Sequence, residues 1–268
     1  MSTKGIVLRA VNVGESDKML TILTQDLGVV SAYSNGARNL KSKNFASSRL
    51  YTYSELTFRE TRGKTYIGES APIESFFGIG KTLDGSALAS YISEVACDVA
   101  IEGQPEQELL QLVLNSLFCI SDSTKPIWQI KSVFELRCAS ILGFMPDMVG
   151  CKVCGKSGFD NVWFDIDDGC YYCEDCFKNS QLEYETEKVD EMSGIYGKHN
   201  VLVPMSKSVF EAIRFVIYSK PERIMSFNLK DESIKDFCSV CEKYLLSHLE
   251  RNFVSLDFYH SVVSMINN

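Results

Sequence analysis

Residues 151–176 read CKVCGKSGFDNVWFDIDDGCYYCEDC, two Cys-x-x-Cys pairs with eighteen residues between them. A Cys-x-x-Cys turn lets both sulfurs face one point. Two such turns facing each other make a tetrahedral four-sulfur site, and the chain between them is free to form a hairpin. Gly155, Gly158 and Gly169 fall where that hairpin has to turn. The spacing predicts a structural Zn2+ held by Cys151, Cys154, Cys173 and Cys176, with Cys170 as a spare thiol. The Cys-Glu-Asp-Cys segment is a compact polar knuckle, whereas Cys170 opens the apolar run Cys170-Tyr171-Tyr172. Because Cys170 and Cys173 are also spaced as Cys-x-x-Cys, replacement of one ligand by Cys170 is the open alternative.

Upstream of the knuckle the apolar period is helical. Residues 84–102 place Leu88, Ile92, Val95 and Val99 on one face, with Asp84 as the expected N-cap, and residues 106–120 and 126–142 repeat the pattern. Gly143 and Pro146 end the third helix and lead into Cys151, so the zinc hairpin is inserted between helices. Downstream, residues 178–200 are polar and read as a linker with one short turn. Helices are expected over 206–218, 231–251 and 253–266.

The first 80 residues differ in period. Residues 4–13, 18–24 and 28–34 are β-rich, the last two joined by the turn Gln25-Asp26-Leu27-Gly28, and LYTYSELTFRE and TYIGESAPIESF follow on either side of residues 61–64. Five short strands without a helical period suggest a small closed barrel, OB-type with an SH3-like barrel as the rival. The reading is therefore α+β. A five-stranded OB-type barrel occupies 1–80, a helical domain is split into 81–147 and 179–268, and a zinc hairpin occupies 148–178.

Composition sets limits on function. Hydrophobic content of 45% and charged content of 23% exclude wholesale disorder, and no apolar run is long enough for a membrane span. With no signal peptide at the start and 10 cysteines, the expectation is a soluble protein of the reducing cytoplasm. Net charge is -8, yet residues 1–80 carry 10 Lys+Arg against 7 Asp+Glu, and the remainder 17 against 28. Within the first part, residues 36–49 (GARNLKSKNFASSR) contain four cations and no acid, which gives a polyanion a local place to sit. Arg38, Lys41 and Lys43 are the expected phosphate contacts, supported by Lys4, Arg9 and Lys18 from adjacent strands. Tyr33, Phe45, Tyr51 and Tyr53 flank them as candidates for stacking on bases.

No catalytic constellation stands out. The chain has no phosphate-binding loop, GxGxxG or GxSxG. Cys238 and Cys241 sit mid-helix, where i and i+3 share a buried face. His248-Leu249-Glu250 lacks the Pro-Cys-x-x-Cys that zinc deaminases need after it. Asp165, Asp167 and Asp168 read as turn residues of the hairpin. The protein is expected not to be an enzyme.

These residues carry a resemblance. GIVLRAVNVGESDKMLTILTQDLGVVSAYSNGARNLKSK resembles the opening of the bacterial recombination mediator family RecO, FELRCASILGFMPDMVGCKVCG its helix running into the first cysteine pair, and YLLSHLERNFVSLDFY its closing helix. The resemblance spans nearly the whole chain. It implies an OB fold binding single- and double-stranded DNA, strand annealing without ATP, and recombinase loading in a RecF-type pathway. The implied location is the cytoplasm, in association with the nucleoid. The implied partners are RecR and the single-stranded DNA-binding protein. That protein's acidic, hydrophobic-ended tail needs an apolar pocket beside a cation, expected on the third helix from Trp128, Ile130 and Phe134 with Lys131 and Arg137. The acidic pI of about 5.1 departs from a strongly basic DNA binder. A zinc-stabilised protein-interaction or transcription-associated factor is the alternative reading.

Overall fold

The computed structural model describes residues 2–179 and 201–266. The linker expected over 178–200 falls almost wholly outside them. Packing divides the chain into two compact units, residues 1–134 with 252–268, and residues 135–251.

The first unit opens with the expected barrel. Strands β1 (Ser2–Val13), β2 (Asp17–Thr24), β3 (Gly28–Ser34), β4 (Thr52–Thr61) and β5 (Lys64–Ser75) close in the order β1-β2-β3-β5-β4. All neighbours are antiparallel except β3 and β5, which meet in parallel at Tyr33 and Tyr66. That crossing is the Greek-key path of an OB barrel and not the meander of an SH3-like one. Val7, Leu20, Ile22, Ala32, Leu56 and Ile67 fill the interior. Strand alternation then turns Met19, Tyr33 and Tyr66 outward.

The two ends of the barrel are closed differently. At one, Thr24 braces the β2–β3 turn, its hydroxyl donating to the Gly28 carbonyl at 2.8 Å and accepting the Leu27 N–H at 3.1 Å. The N–H groups of Gly103 and Glu106 donate to the carbonyls of Leu27 and Gln25 at 2.9 and 3.0 Å, fastening the turn to the helical part of the unit. At the other end, residues 35–51 fold over the mouth. The hydroxyls of Ser34 and Ser48 share a hydrogen bond of 2.7 Å, and Gly36 donates its N–H to Asp17 at 2.7 Å.

A short 3-10 helix over Phe77–Lys81 leads to α1 (Leu83–Val99), α2 (Gln107–Ser121) and α3 (Ile127–Ile141), and α6 (Val254–Ile266) returns to pack along α1. The N-cap of α1 is Thr82 and not Asp84. Thr82 is extended, at φ -128° and ψ 151°, and its hydroxyl accepts the Gly85 N–H, while Asp84 lies within the first turn, where its charge meets the positive end of the helix.

In the second unit β6 (Asn161–Asp165) and β7 (Cys170–Cys173) form the expected hairpin. A third strand that the sequence reading missed, β8 (Leu202–Ser206), joins on the other side of β6. The helices are α4 (Lys207–Tyr218), beginning one residue after the expected start, and α5 (Asp231–Leu249). The latter stops short of residue 251 because Glu250 turns left-handed, at φ 51°. Among the described residues no helix is long and apolar enough to cross a membrane.

Candidate metal centre and nucleic-acid interface

The knuckle brings the four expected cysteines together. The sulfurs of Cys151, Cys154, Cys173 and Cys176 lie within 4.8 Å of one another, Cys154 and Cys173 at 3.9 Å. Zinc–sulfur bonds of about 2.3 Å put tetrahedral ligands about 3.8 Å apart, so the donor set fits. Backbone bonds hold the geometry. Gly155 donates to the Cys151 carbonyl at 2.8 Å, Lys152 ties the first turn to the Tyr171 carbonyl at 2.8 Å, and the Cys173 N–H points at the Cys151 sulfur at 3.3 Å. Trp163 stacks on Phe177 at 3.9 Å between ring centroids, packing the residues after the second pair against the hairpin.

Position separates these thiols from Cys170. Burial raises the Cys151 thiol, but the backbone N–H groups of Cys154, Cys173 and Val153 outweigh it and hold the group at about 6. Burial raises Cys173, and hydrogen bonding to Cys173 pushes Cys176 up to about 12. The four sulfurs could hold a metal ion, and a divalent cation bound there would favour their thiolate forms. Cys170 instead groups with Asp165 and Asp168. Its thiol is raised by burial and then by the Asp165 charge, and Asp165 accepts the N–H groups of Asp167 and Asp168, each at 3.1 Å, as the residue that shapes the turn.

The six cations expected at a DNA interface do not share one face. Arg38 donates its guanidinium to the Gly14 carbonyl at 2.8 Å and its N–H to the Ser16 carbonyl at 2.9 Å, pinning the loop to the β1–β2 turn. Lys18 reaches the Ser48 carbonyl at 3.3 Å. Ser48 adjoins Arg49, and Arg38 is held at the β1–β2 turn, so the three cations gather at the barrel mouth, where burial first and then the charges of Arg49 and Arg38 lower the Lys18 pKa. Lys41 is exposed on the same loop. Lys43, however, lines a recess with Glu55 and Glu69, Lys4 stands opposite Glu55 across β1 and β4, and Arg9 lines a recess with Glu94 and Cys97 of α1. Arg49 gains meaning only beside Lys18, thirty-one positions away in sequence; its guanidinium also lies 4.5 Å from the ring of Phe77, which is 62% exposed.

Tyr33, one of the four expected stacking aromatics, belongs to a row of side chains on the outer wall. Its ring lies 5.5 Å from that of Tyr66, with the Lys64 ammonium 5.2 Å from the Tyr33 ring centroid. Tyr51 is half-buried, and burial raises its hydroxyl above the usual phenol range. On α3, Ile130 and Phe134 are fully buried and Lys131 is 3% exposed, its ammonium over the rings of Tyr91 and Tyr259. Trp128 is half-buried, and Arg137 donates to the Ile217 carbonyl at 2.8 Å near the end of α4. His248 is held at the Tyr244 carbonyl at 2.8 Å and against the Phe144 ring, a packing role.

Comparison with known proteins adds a family. Residues 1–76 match the family model described as Recombination protein O N terminal, and residues 80–257 that described as Recombination protein O C terminal. The chain is 30% identical to a protein named DNA repair protein RecO from Acetivibrio thermocellus over 96% of this chain and 95% of that one. It is 27% identical to the protein of the same name from Caldanaerobacter subterraneus over 96% of each chain, and 32% identical to that from Caldicellulosiruptor saccharolyticus over 72% of this chain and 78% of the other.

Proposed function

This chain belongs to the RecO family of DNA repair and recombination proteins, and on that premise we propose that it is a non-enzymatic mediator. In this reading it binds single- and double-stranded DNA, anneals complementary strands, and helps load recombinase onto DNA coated by single-stranded DNA-binding protein. The observation that carries the reading is the convergence of Lys18, Arg38 and Arg49 at the barrel mouth, with Lys41 on the same loop. Three cations concentrated on one rim of an acidic protein give phosphates a local positive potential without a basic whole. Lys4, Arg9 and Lys43 belong to the same proposal as secondary contacts, each beside a carboxylate that weakens it.

The metal completes the proposal as structural Zn2+ at Cys151, Cys154, Cys173 and Cys176, where it would stabilise the fold and take no part in chemistry. Without a phosphate-binding loop, displacement of a coating protein has to be driven by binding free energy. The proposed partners are therefore RecR and the acidic, hydrophobic-ended tail of the single-stranded DNA-binding protein. For the tail, the burial of Lys131 and Phe134 directs attention to a groove of about 730 Å3 beside α4, lined by Phe215, Tyr218 and Phe227 together with Arg214, whose guanidinium lies 3.8 Å from the Glu211 carboxylate. An apolar groove with a cation at its edge suits a terminal carboxylate following apolar side chains. A cytoplasmic, nucleoid-associated location follows from this reading.

Annealing tests it. The full chain is expected to accelerate pairing of complementary oligonucleotides coated with single-stranded DNA-binding protein, with no nucleotide present, and Arg38→Ala with Arg49→Ala to slow it. No acceleration by the unaltered chain, or an absolute requirement for ATP, would sink the proposal. Loss of tail-peptide binding in Arg214→Glu, with Lys131→Glu and Arg137→Glu as comparisons, locates the handle.

A further inference from the structure

We infer that the outer wall of the barrel at Tyr33 and Tyr66 is a base-stacking subsite that makes the protein discriminate single-stranded from duplex DNA, a role separate from the phosphate grip at the mouth. The inference rests on the DNA-binding reading above and adds to it which strand state is preferred and why. Tyr33 and Tyr66 are the facing pair at the one parallel contact of the barrel, and their neighbours Ala32 and Ile67 point into the core. Both rings are therefore displayed on the wall, half-buried, 5.5 Å apart and inclined by 32°. The row continues across the sheet, since Met19 pairs with Tyr33 on one side and Arg59 with Tyr66 on the other. Polar cover is cationic at its edge: the Lys64 ammonium lies over the Tyr33 ring at 5.2 Å and Arg59 is exposed.

The location makes the pair accessible to a strand held at the mouth. Tyr33 lies one residue from Ser34, which shares a hydrogen bond with Ser48, the residue whose carbonyl holds Lys18. Phosphates gripped by Lys18, Arg38 and Arg49 thus put the adjoining nucleotides within reach of the row. The end of the barrel fastened to the helices is at the opposite end of β2 and β3. An unpaired base can lay its π-face on tyrosine and displace the Lys64 ammonium toward a phosphate, whereas a base inside a duplex has both faces covered by its neighbours. The grip at the mouth is shared by both forms of DNA, and the aromatic row serves only the single strand.

The test uses the full chain, a fluorescent oligo-dT and a duplex of equal length, with affinity read by anisotropy over a salt series. Tyr33→Leu with Tyr66→Leu, which keeps apolar bulk and removes the rings, is expected to weaken oligo-dT binding roughly 10-fold, leave duplex affinity within about twofold and leave the salt slope unchanged. Tyr33→Phe with Tyr66→Phe should retain the affinity of the unaltered chain. Equal losses on both substrates, no loss on either, or failure of the Phe variant to retain affinity overturns the inference. If the Leu variant misfolds, tyrosine fluorescence decides instead: oligo-dT, and not duplex, is expected to quench the unaltered chain more than the Phe-substituted chain, and equal quenching of the two chains overturns the inference. The DNA-binding reading fails separately, through absence of salt-dependent binding by the unaltered chain.

Discussion

Asp17 is a carboxylate among the cations of the barrel mouth, and its hydrogen bonds explain its presence there. It accepts the Gly36 N–H at 2.7 Å and the Ser16 hydroxyl at 2.9 Å, bonds that in that order lower its pKa beneath 3.8. A carboxylate lowered by folding stabilises the protein above its unfolded pKa and loses that contribution as the pH falls through the folded one. Asp17→Ala is therefore expected to cost about 1 kcal/mol at neutral pH. The deficit should shrink below pH 3.8 in urea unfolding followed by circular dichroism. Lys64 shows a second balance at this scale. A cation over an exposed ring is worth about 0.5–1 kcal/mol, and a base stacked on an aromatic about 1–3 kcal/mol, so a base wins the ring. Tyr33 could be named from sequence because it adjoins the basic loop. Tyr66 and Lys64 could not, because only the parallel meeting of β3 and β5 brings them to it.

At the scale of elements, what was legible followed local period and local turn chemistry. The five strands, the hairpin between the two cysteine pairs and the helices all announce themselves within short stretches of chain. Strand β8 does not. It holds only five residues, contains Pro204, and pairs with β6 some forty positions earlier. Proline is tolerated there because β8 is an edge strand. Gly28 marks another element-level constraint. It is left-handed, at φ +63°, and a Cβ at this position would overlap the Ile101 carbonyl oxygen. Gly28→Ala should destabilise by more than about 1 kcal/mol, as both strain and overlap act on backbone; calorimetry of the purified variant checks this. The knuckle gives a sharper contrast. Cys154→Ser is expected to lose bound metal and melt at lower temperature, while Cys170→Ser keeps one metal ion per chain by elemental analysis. Metal retention in the first variant and loss in the second would reassign the ligands.

For the whole molecule, the sequence revealed that a basic stretch exists within an acidic chain, and the fold decided which of its cations act together. Lys18, Arg38 and Arg49 converge because the loop over 35–51 folds back on the β1–β2 turn, whereas Lys43, on that same loop, ends beside Glu55 and Glu69. The same burial that builds the core around α1 takes Lys131 and Phe134 out of reach of a partner, a distinction that helical periodicity alone could not make. The proposed grip on DNA phosphates lies at that mouth. Its most direct test is oligonucleotide binding over a salt series by the unaltered chain and by Lys18→Ala/Arg38→Ala/Arg49→Ala. Log affinity is expected to fall linearly with log salt, with a slope shallower by about 0.7 for every single-strand phosphate contact removed in the triple variant. An identical slope in the two proteins would contradict it.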